Sequence, residues 1–363
     1  MRVPIAIMTM TALACGQTLP AQDDAGDGGS SNDGAPVEAG AGPVTLATGQ
    51  ANPGLLAVGG GNVYWLNAGD GPPSPPNTSL MKCASAGCGG APTLLVDNTG
   101  LGQPLISAPM VSTSGIAADA LNVYVSATPA PTVSWNLMSC PATGCKDMPP
   151  ILVSDKGPFA FAVDATSFYW GTNSAVQKCP LAGCNGAPTT LVTNGASNGP
   201  LVVSATGVYW IGNETITNGY FGDVLMCSIG GCAAPTVIAS AQPSPTALAI
   251  DGSYVYWTVG EETDAGTAIP APQSILRCTL GGCNGKPTAL VTNASAIRGL
   301  VSDGANLYWT NAPGDILRCP VAGCANAPTT IVPAQSGPRS FAVDDTSLYW
   351  ANGDGTIMKL TPK

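Results

Sequence analysis

The chain has 363 residues, 45% of them hydrophobic and only 9% charged, with 46 Gly, 33 Pro, 13 Cys and no His, the composition of a turn-dense exported β protein. Without His it has no Ser-His-Asp or Cys-His nucleophile, no imidazole base and no His-containing metal site. Its net charge of -10 is the wrong sign for neutralising phosphates, which argues against nucleic acid as a partner.

Residues 1–14 predict an export signal. Arg2 supplies a minimal positive charge, and Val3 to Ala14 form an apolar run too short to span a bilayer. Ala12-Leu13-Ala14 before Cys15 suits an ordinary signal peptidase. The same stretch, TALAC, also resembles the lipobox of bacterial lipoproteins, with Ala12 where Leu is usual. That resemblance implies that Cys15 becomes the lipidated first residue. Gly16 after it implies onward export, to an outer-membrane anchor facing the periplasm or the cell surface. Cysteine parity favours this use: the other twelve cysteines fall in spaced pairs, so plain secretion would leave Cys15 as an odd thiol in an oxidising compartment. Residues 15–42 then hold the lipidated Cys and a tether. Four Asp, one Glu and no basic residue among Gly, Ser and Ala cannot offset their own ordering entropy, and such a coil reaches about 25–30 Å.

From residue 43 to 363 the chain repeats itself. An apolar-Tyr-Trp step recurs at Val63-Tyr64-Trp65, Phe168-Tyr169-Trp170, Val208-Tyr209-Trp210, Val255-Tyr256-Trp257, Leu307-Tyr308-Trp309 and Leu348-Tyr349-Trp350, and Val123-Tyr124-Val125 is a seventh copy without its Trp. Each follows an apolar stretch ending in a turn, which predicts two hairpin strands. A third short strand follows, as in residues 274–278, 315–319 and 356–360, and then a fourth, as in 188–194 and 287–293. Four strands per unit of roughly 46 residues predict an all-β, seven-bladed β-propeller. The last unit supplies three strands, and an extra fourth-strand segment, residues 43–49, precedes the first. The N-terminal strand is therefore expected to complete the last blade and close the ring. Neighbouring Tyr and Trp point to opposite faces of a strand, so both are expected in the core between blades. LYWTNAPGDILR (residues 307–318) resembles the YWTD repeat of low-density-lipoprotein-receptor-type propellers, which have six blades; Asn311 stands where that family has Asp. The resemblance implies a protein-binding propeller and transfers no ligand.

Six units carry C-x4-C at the turn between third and fourth strands: Cys83/Cys88, Cys140/Cys145, Cys179/Cys184, Cys227/Cys232, Cys278/Cys283 and Cys319/Cys324. A metal needs four ligands together, and each pair sits on its own unit, so these predict six local disulfides, bridged across hairpin strands. Each closes a six-residue loop worth about 2 kcal/mol. No haem-attachment motif is present and no cofactor is expected.

The first-to-second turns on the disulfide face carry Asp119, Asp164, Asp251, Asp303 and Asp344, with Gly59 and Ser204 in the other two units. Turn chemistry and a cation-binding ring are the two readings. The opposite face holds the variable connections, long in units one, two, four and five, where function usually resides. There Tyr220 and Phe221 are either a loop mini-core or an exposed anchor, and Glu261, Glu262 and Asp264 are either a solvated loop or a divalent-cation site. Trp135 stands beside the position that lost its Trp and is expected to refill it. The sequence thus predicts a lipid-tethered binding or scaffold propeller that is not an enzyme, meeting a protein or glycan at the cell envelope and the membrane only through its anchor. The alternative is a Ca-dependent propeller hydrolase or lyase using loop carboxylates such as Glu261 and Glu262.

Overall fold

Period-two alternation along a strand sends Tyr to one face and Trp to the other, and this decides how the units pack. The computed structural model describes residues 42–69, 78–97, 115–127, 135–145, 150–155, 160–193, 199–215, 221–260 and 273–363. The export signal, Cys15 and the tether lie outside them. Among the described residues every regular element is a strand, and the twenty-eight strands form seven four-stranded antiparallel sheets. The chain is a seven-bladed β-propeller. Its innermost strands are β2 (Pro53–Gly59), β6 (Ile116–Ala118), β10 (Phe161–Val163), β14 (Leu201–Val203), β18 (Leu248–Ile250), β22 (Arg298–Ser302) and β26 (Ser340–Val343). Each packs on its neighbour's, and β26 packs back on β2.

The closing blade is built as the repeat count requires. β26 pairs β27 (Leu348–Ala351), which pairs β28 (Ile357–Leu360), and the outermost place is taken by β1 (Val44–Ala47) from the other end of the propeller. Val44 lies opposite Lys359 and Ala47 opposite Ile357. The segment then crosses to unit one. Gln50 N–H donates to Gly355 O (2.9 Å), while Gln50 Oε1 accepts the Trp65 indole N–H at 3.0 Å. Gly355 has φ +84, and a Cβ there would lie 2.5 Å from Gln50 O, so this crossing requires glycine.

Seven separate hydrophobic cores fill the seven junctions between blades. In six of them the Tyr of one unit meets the Trp of the next, as Tyr209 meets Trp257 and Tyr349 meets Trp65. These rings are fully buried, so they are packing residues and offer no stacking ladder to a ligand. The junction between units one and two departs from the pattern. Val125 stands for Trp, and its cross-strand partner Met138 is buried beside it. Trp135 is the first residue of its strand and lies opposite Asp155, and its side chain lies outside the described residues.

All six C-x4-C disulfides are formed within their own units: Cys83–Cys88, Cys140–Cys145, Cys179–Cys184, Cys227–Cys232, Cys278–Cys283 and Cys319–Cys324. Their Cα separations of 5.3–5.7 Å lie inside the range a bridge requires. The geometry corrects the expectation of a bridge across two strands. The first Cys of each pair is a buried strand residue, whereas Cys88, Cys145, Cys184, Cys232, Cys283 and Cys324 are half-buried and stand in the turn, outside any strand. The reason is the glycine before each second Cys. Gly87, Gly144, Gly183, Gly231, Gly282 and Gly323 all have positive φ, which folds the chain back on the strand before pairing resumes.

Unit four also differs from its expectation. Its second-to-third connection reads as loop, yet β15 (Gly207–Thr215) and β16 (Phe221–Ser228) extend the ladder until Thr215 faces Phe221, and β17 (Thr236–Pro243) follows with Phe221 opposite Pro243.

Candidate functional site

On the disulfide face the turn aspartates are consumed by the fold. Asp119 Oδ1 accepts the backbone N–H groups of Leu121 and Asn122, each at 2.7 Å, which fixes the turn. Its Oδ2 accepts the Tyr124 hydroxyl at 2.6 Å. Asp164, Asp251, Asp303 and Asp344 do the same for Tyr169, Tyr256, Tyr308 and Tyr349, at 2.6–2.9 Å. A cation ring is therefore not what these carboxylates form. Among the described residues no group of three or more acidic or cysteine side chains is placed to hold a metal ion. The two units without Asp behave as this scheme demands. In unit four Tyr209 turns its hydroxyl to Leu280 O (2.9 Å) in the next blade. In unit one the Tyr64 hydroxyl is buried with no acceptor among the described residues, and a Cβ on Gly59 would lie 2.5 Å from Asp119 O, so no Asp fits there.

These pairs set the pH range of the fold. Burial, then the bond to Asp, pushes Tyr169 and Tyr349 up to about 12. Burial alone would raise the carboxyls of Asp119, Asp164, Asp303 and Asp344, but the hydroxyl and backbone bonds outweigh it and hold them below the ordinary range. A tyrosine whose pKa is raised by folding contributes stability that is complete below about 10, its unfolded value, and is lost as pH climbs through the folded one. A carboxyl whose pKa is lowered contributes stability above about 4 that disappears as pH falls further. Melting temperature should thus be flat between those limits and fall outside both. Ionisation of Tyr169 or Tyr349 at about pH 10 in the intact fold, read residue by residue by NMR, would contradict the pairing.

A second recurrence on this face takes its meaning from the structure. Lys82, Lys178, Arg277, Arg318 and Lys359 stand directly before the first Cys, or before Leu360 in its place. Lys82 Nζ donates to Ala142 O (2.6 Å), Lys178 Nζ to Ile229 O (2.6 Å), Lys359 Nζ to Ser85 O (2.8 Å) and Arg277 to Val321 O. Every acceptor is the carbonyl two residues after the first Cys of the next blade. The disulfide loop holds out a carbonyl, and the preceding blade's cation grips it. Unit four has Met226 in that place, and the hydroxyl of Tyr209 serves instead. Unit seven has no disulfide turn, and Lys363 there forms an ion pair with Asp303 of unit six at 3.3 Å.

The variable face has its own internal network. Trp65, Trp257 and Trp350 donate their indole N–H to Gln50, Gln242 and Gln335, fifteen residues upstream, each at 3.0 Å. Asn67 and Asn352 share the first and third of these acceptors. Ala294 occupies the equivalent place in unit six, and the Trp309 indole N–H meets no acceptor among the described residues. Of the candidates for this face, Phe221 opens β16 and is half-buried. Tyr220, Glu261, Glu262 and Asp264 lie outside the described residues. A cleft of about 610 Å³ opens elsewhere, between the outermost strand of unit two and the disulfide turn of unit three, lined by Ile151, Leu152, Gly183, Cys184 and their neighbours. Among the described residues that line it none is acidic or basic.

No protein-family profile matches the chain, and no curated protein matches it. Solved structures do. The β-propeller domain of the Trilobed protease from Pyrococcus furiosus aligns with a TM-score of 0.58 and 9% identity, over 86% of this chain and 92% of that one. Kuenenia stuttgartiensis hydrazine synthase aligns at 0.58 and 13%, over 87% and 97%. Virginiamycin B lyase from Staphylococcus aureus aligns at 0.51 and 12%, over 88% and 98%. At such identities the likeness is one of fold alone.

Proposed function

We propose that this chain is an envelope-anchored binding or scaffold module, tethered through acylated Cys15, whose variable-loop face meets a protein or glycan. Six formed disulfides mark an extracellular or periplasmic protein. Among the described residues no helix is long and apolar enough to cross a membrane. The lipobox resemblance and the parity of the twelve paired cysteines support the anchor, and the resemblance to YWTD repeats supports protein binding over catalysis. The observation that carries the reading is the use of the repeated residues. Tyr and Trp fill the junctions, the turn Asp hold Tyr, and the strand-three cations hold the next blade. What differs between units, and so can specify a partner, is the set of variable connections.

The test is capture of envelope proteins and glycans by the exported chain. Tyr220→Ala should weaken capture by about 2 kcal/mol, the loss expected of an aromatic anchor, and leave the melting temperature unchanged. Phe221→Ala should lower both, because Phe221 is half-buried in a strand. Replacing Glu261, Glu262 and Asp264 by Gln or Asn should leave capture intact. Loss of a Ca-dependent activity in that variant would favour a hydrolase or lyase.

A further inference from the structure

One disulfide turn sits where no other does. In units one to six the outermost strand of a blade is joined to its neighbour strand by the chain, but β1 belongs to blade seven only through pairing with β28. The turn of unit one covers that pairing. Cys88 Sγ lies 3.5 Å from Leu46 O in the middle of β1. Lys359, on β28, donates to Ser85 O inside the same disulfide loop at 2.8 Å. Leu46, Ala47, Trp65, Cys83 and Ile357 share one core, with Cys88 packed on its edge. A single covalent loop therefore touches both strands of the pair that closes the ring.

We propose that the Cys83–Cys88 turn is a thiol-sensitive latch on the closing strand. Cys83 is 1% exposed and Cys88 half-buried, so a dithiol reductant reaches Cys88. Its thiolate attacks Cys88 Sγ, the S–S bond breaks, and the electron pair passes to Cys83 Sγ, which takes a proton. The reductant's second thiolate then attacks its own sulfur in the mixed disulfide, closing the reductant's disulfide, and Cys88 departs as a thiolate and is protonated. Two electrons and two protons have moved to the protein. The carbonyl of Ser85 is then no longer held toward Lys359, and β1 loses its cover.

The experiment compares two full-length variants, C83S/C88S and C179S/C184S, by hydrogen exchange. The first should speed exchange of residues 44–47 about tenfold or more, the mark of local opening, and leave unit three as it was. The second should leave residues 44–47 protected. Unchanged protection in C83S/C88S, or equal loss in both, would overturn the latch. If C83S/C88S does not fold, the wild-type chain is titrated with dithiothreitol, trapped by alkylation and followed by the same exchange. Protection of residues 44–47 should vanish as Cys88 becomes alkylated. Protection that persists in molecules alkylated at both Cys83 and Cys88 would overturn the latch equally well.

Discussion

Deleting residues 43–49 should open the ring. The four residues of β1 form the outermost strand of the last blade, and Leu46 and Ala47 are buried in the junction with unit one. Burial of Leu46 is worth about 2 kcal/mol, and each ladder hydrogen bond about 1 kcal/mol. The loss should be on the order of 5 kcal/mol, a large share of the roughly 5–15 kcal/mol typical of a folded domain. It should also strip the cover from β28 and leave its polar edge open to pairing with other molecules. The shortened chain is expected to melt about 10 °C lower or more and to aggregate on heating. Removing seven residues from within 17–42 should change neither, since that segment is expected to be a spacer. Denaturant titration and light scattering of both deletions read the difference directly.

The second large effect is expected from Trp257→Ala. Trp257 is fully buried between units four and five, among Tyr209, Val224 and Val255. Truncation leaves a cavity and a Gln242 oxygen without its indole donor, a change that typically costs about 3–5 kcal/mol. Trp257→Phe keeps most of the volume and should cost about 1–2 kcal/mol, mainly for the stranded oxygen. Val125 shows how the position behaves without its Trp: it is buried in one cluster with Met138, and Val125→Ala should cost only about 1–2 kcal/mol. Urea titration should show Trp257→Ala as the least stable of the three variants by a clear margin. A Trp257→Ala protein as stable as Val125→Ala would mean that the junctions are not held by these rings.

The fold is legible in the sequence because its signals are local. Tyr and Trp adjacent on a strand announce two buried faces, and a cysteine pair five positions apart announces its own turn. Even the closure can be read, since residues 43–49 repeat a fourth strand that the last unit lacks. What the spacing of Cys140 and Cys145, or of Cys278 and Cys283, does not announce is that the second sulfur sits off the strand, because that depends on the positive φ of Gly144 and Gly282. The cation before the first Cys recurs in four of the six disulfide units, with Ser139 and Met226 in the other two. Its meaning stays hidden because the acceptor of Lys178 is Ile229, in another unit, and no local rule connects them. The same is true of Gln242 and Trp257, fifteen residues apart across a blade boundary. Phe221 reads as loop because Asn, Thr and Gly surround it, whereas pairing with Thr215 and Pro243 continues the ladder through it. The aspartate turns carry two meanings in the sequence, and the tyrosine hydroxyl decides between them. Tyr220, Glu261, Glu262 and Asp264 stand in connections that do not repeat, where periodicity has nothing to say.

The claim that the repeated residues hold the ring and the variable connections meet the partner is tested most directly by site-specific photo-cross-linking in intact cells. A photo-reactive residue is placed at Tyr220 or Glu261, in the variable connections, and at Leu121 or Ser253, in the turns of the disulfide face. Leu121 is 73% exposed and Ser253 is also exposed, so both disulfide-face positions are open to any partner that comes near. Adducts of discrete mass from Tyr220 or Glu261, with none from Leu121 or Ser253, are the predicted result. Adducts from Leu121 or Ser253 alone would place the working surface on the disulfide face and contradict the account.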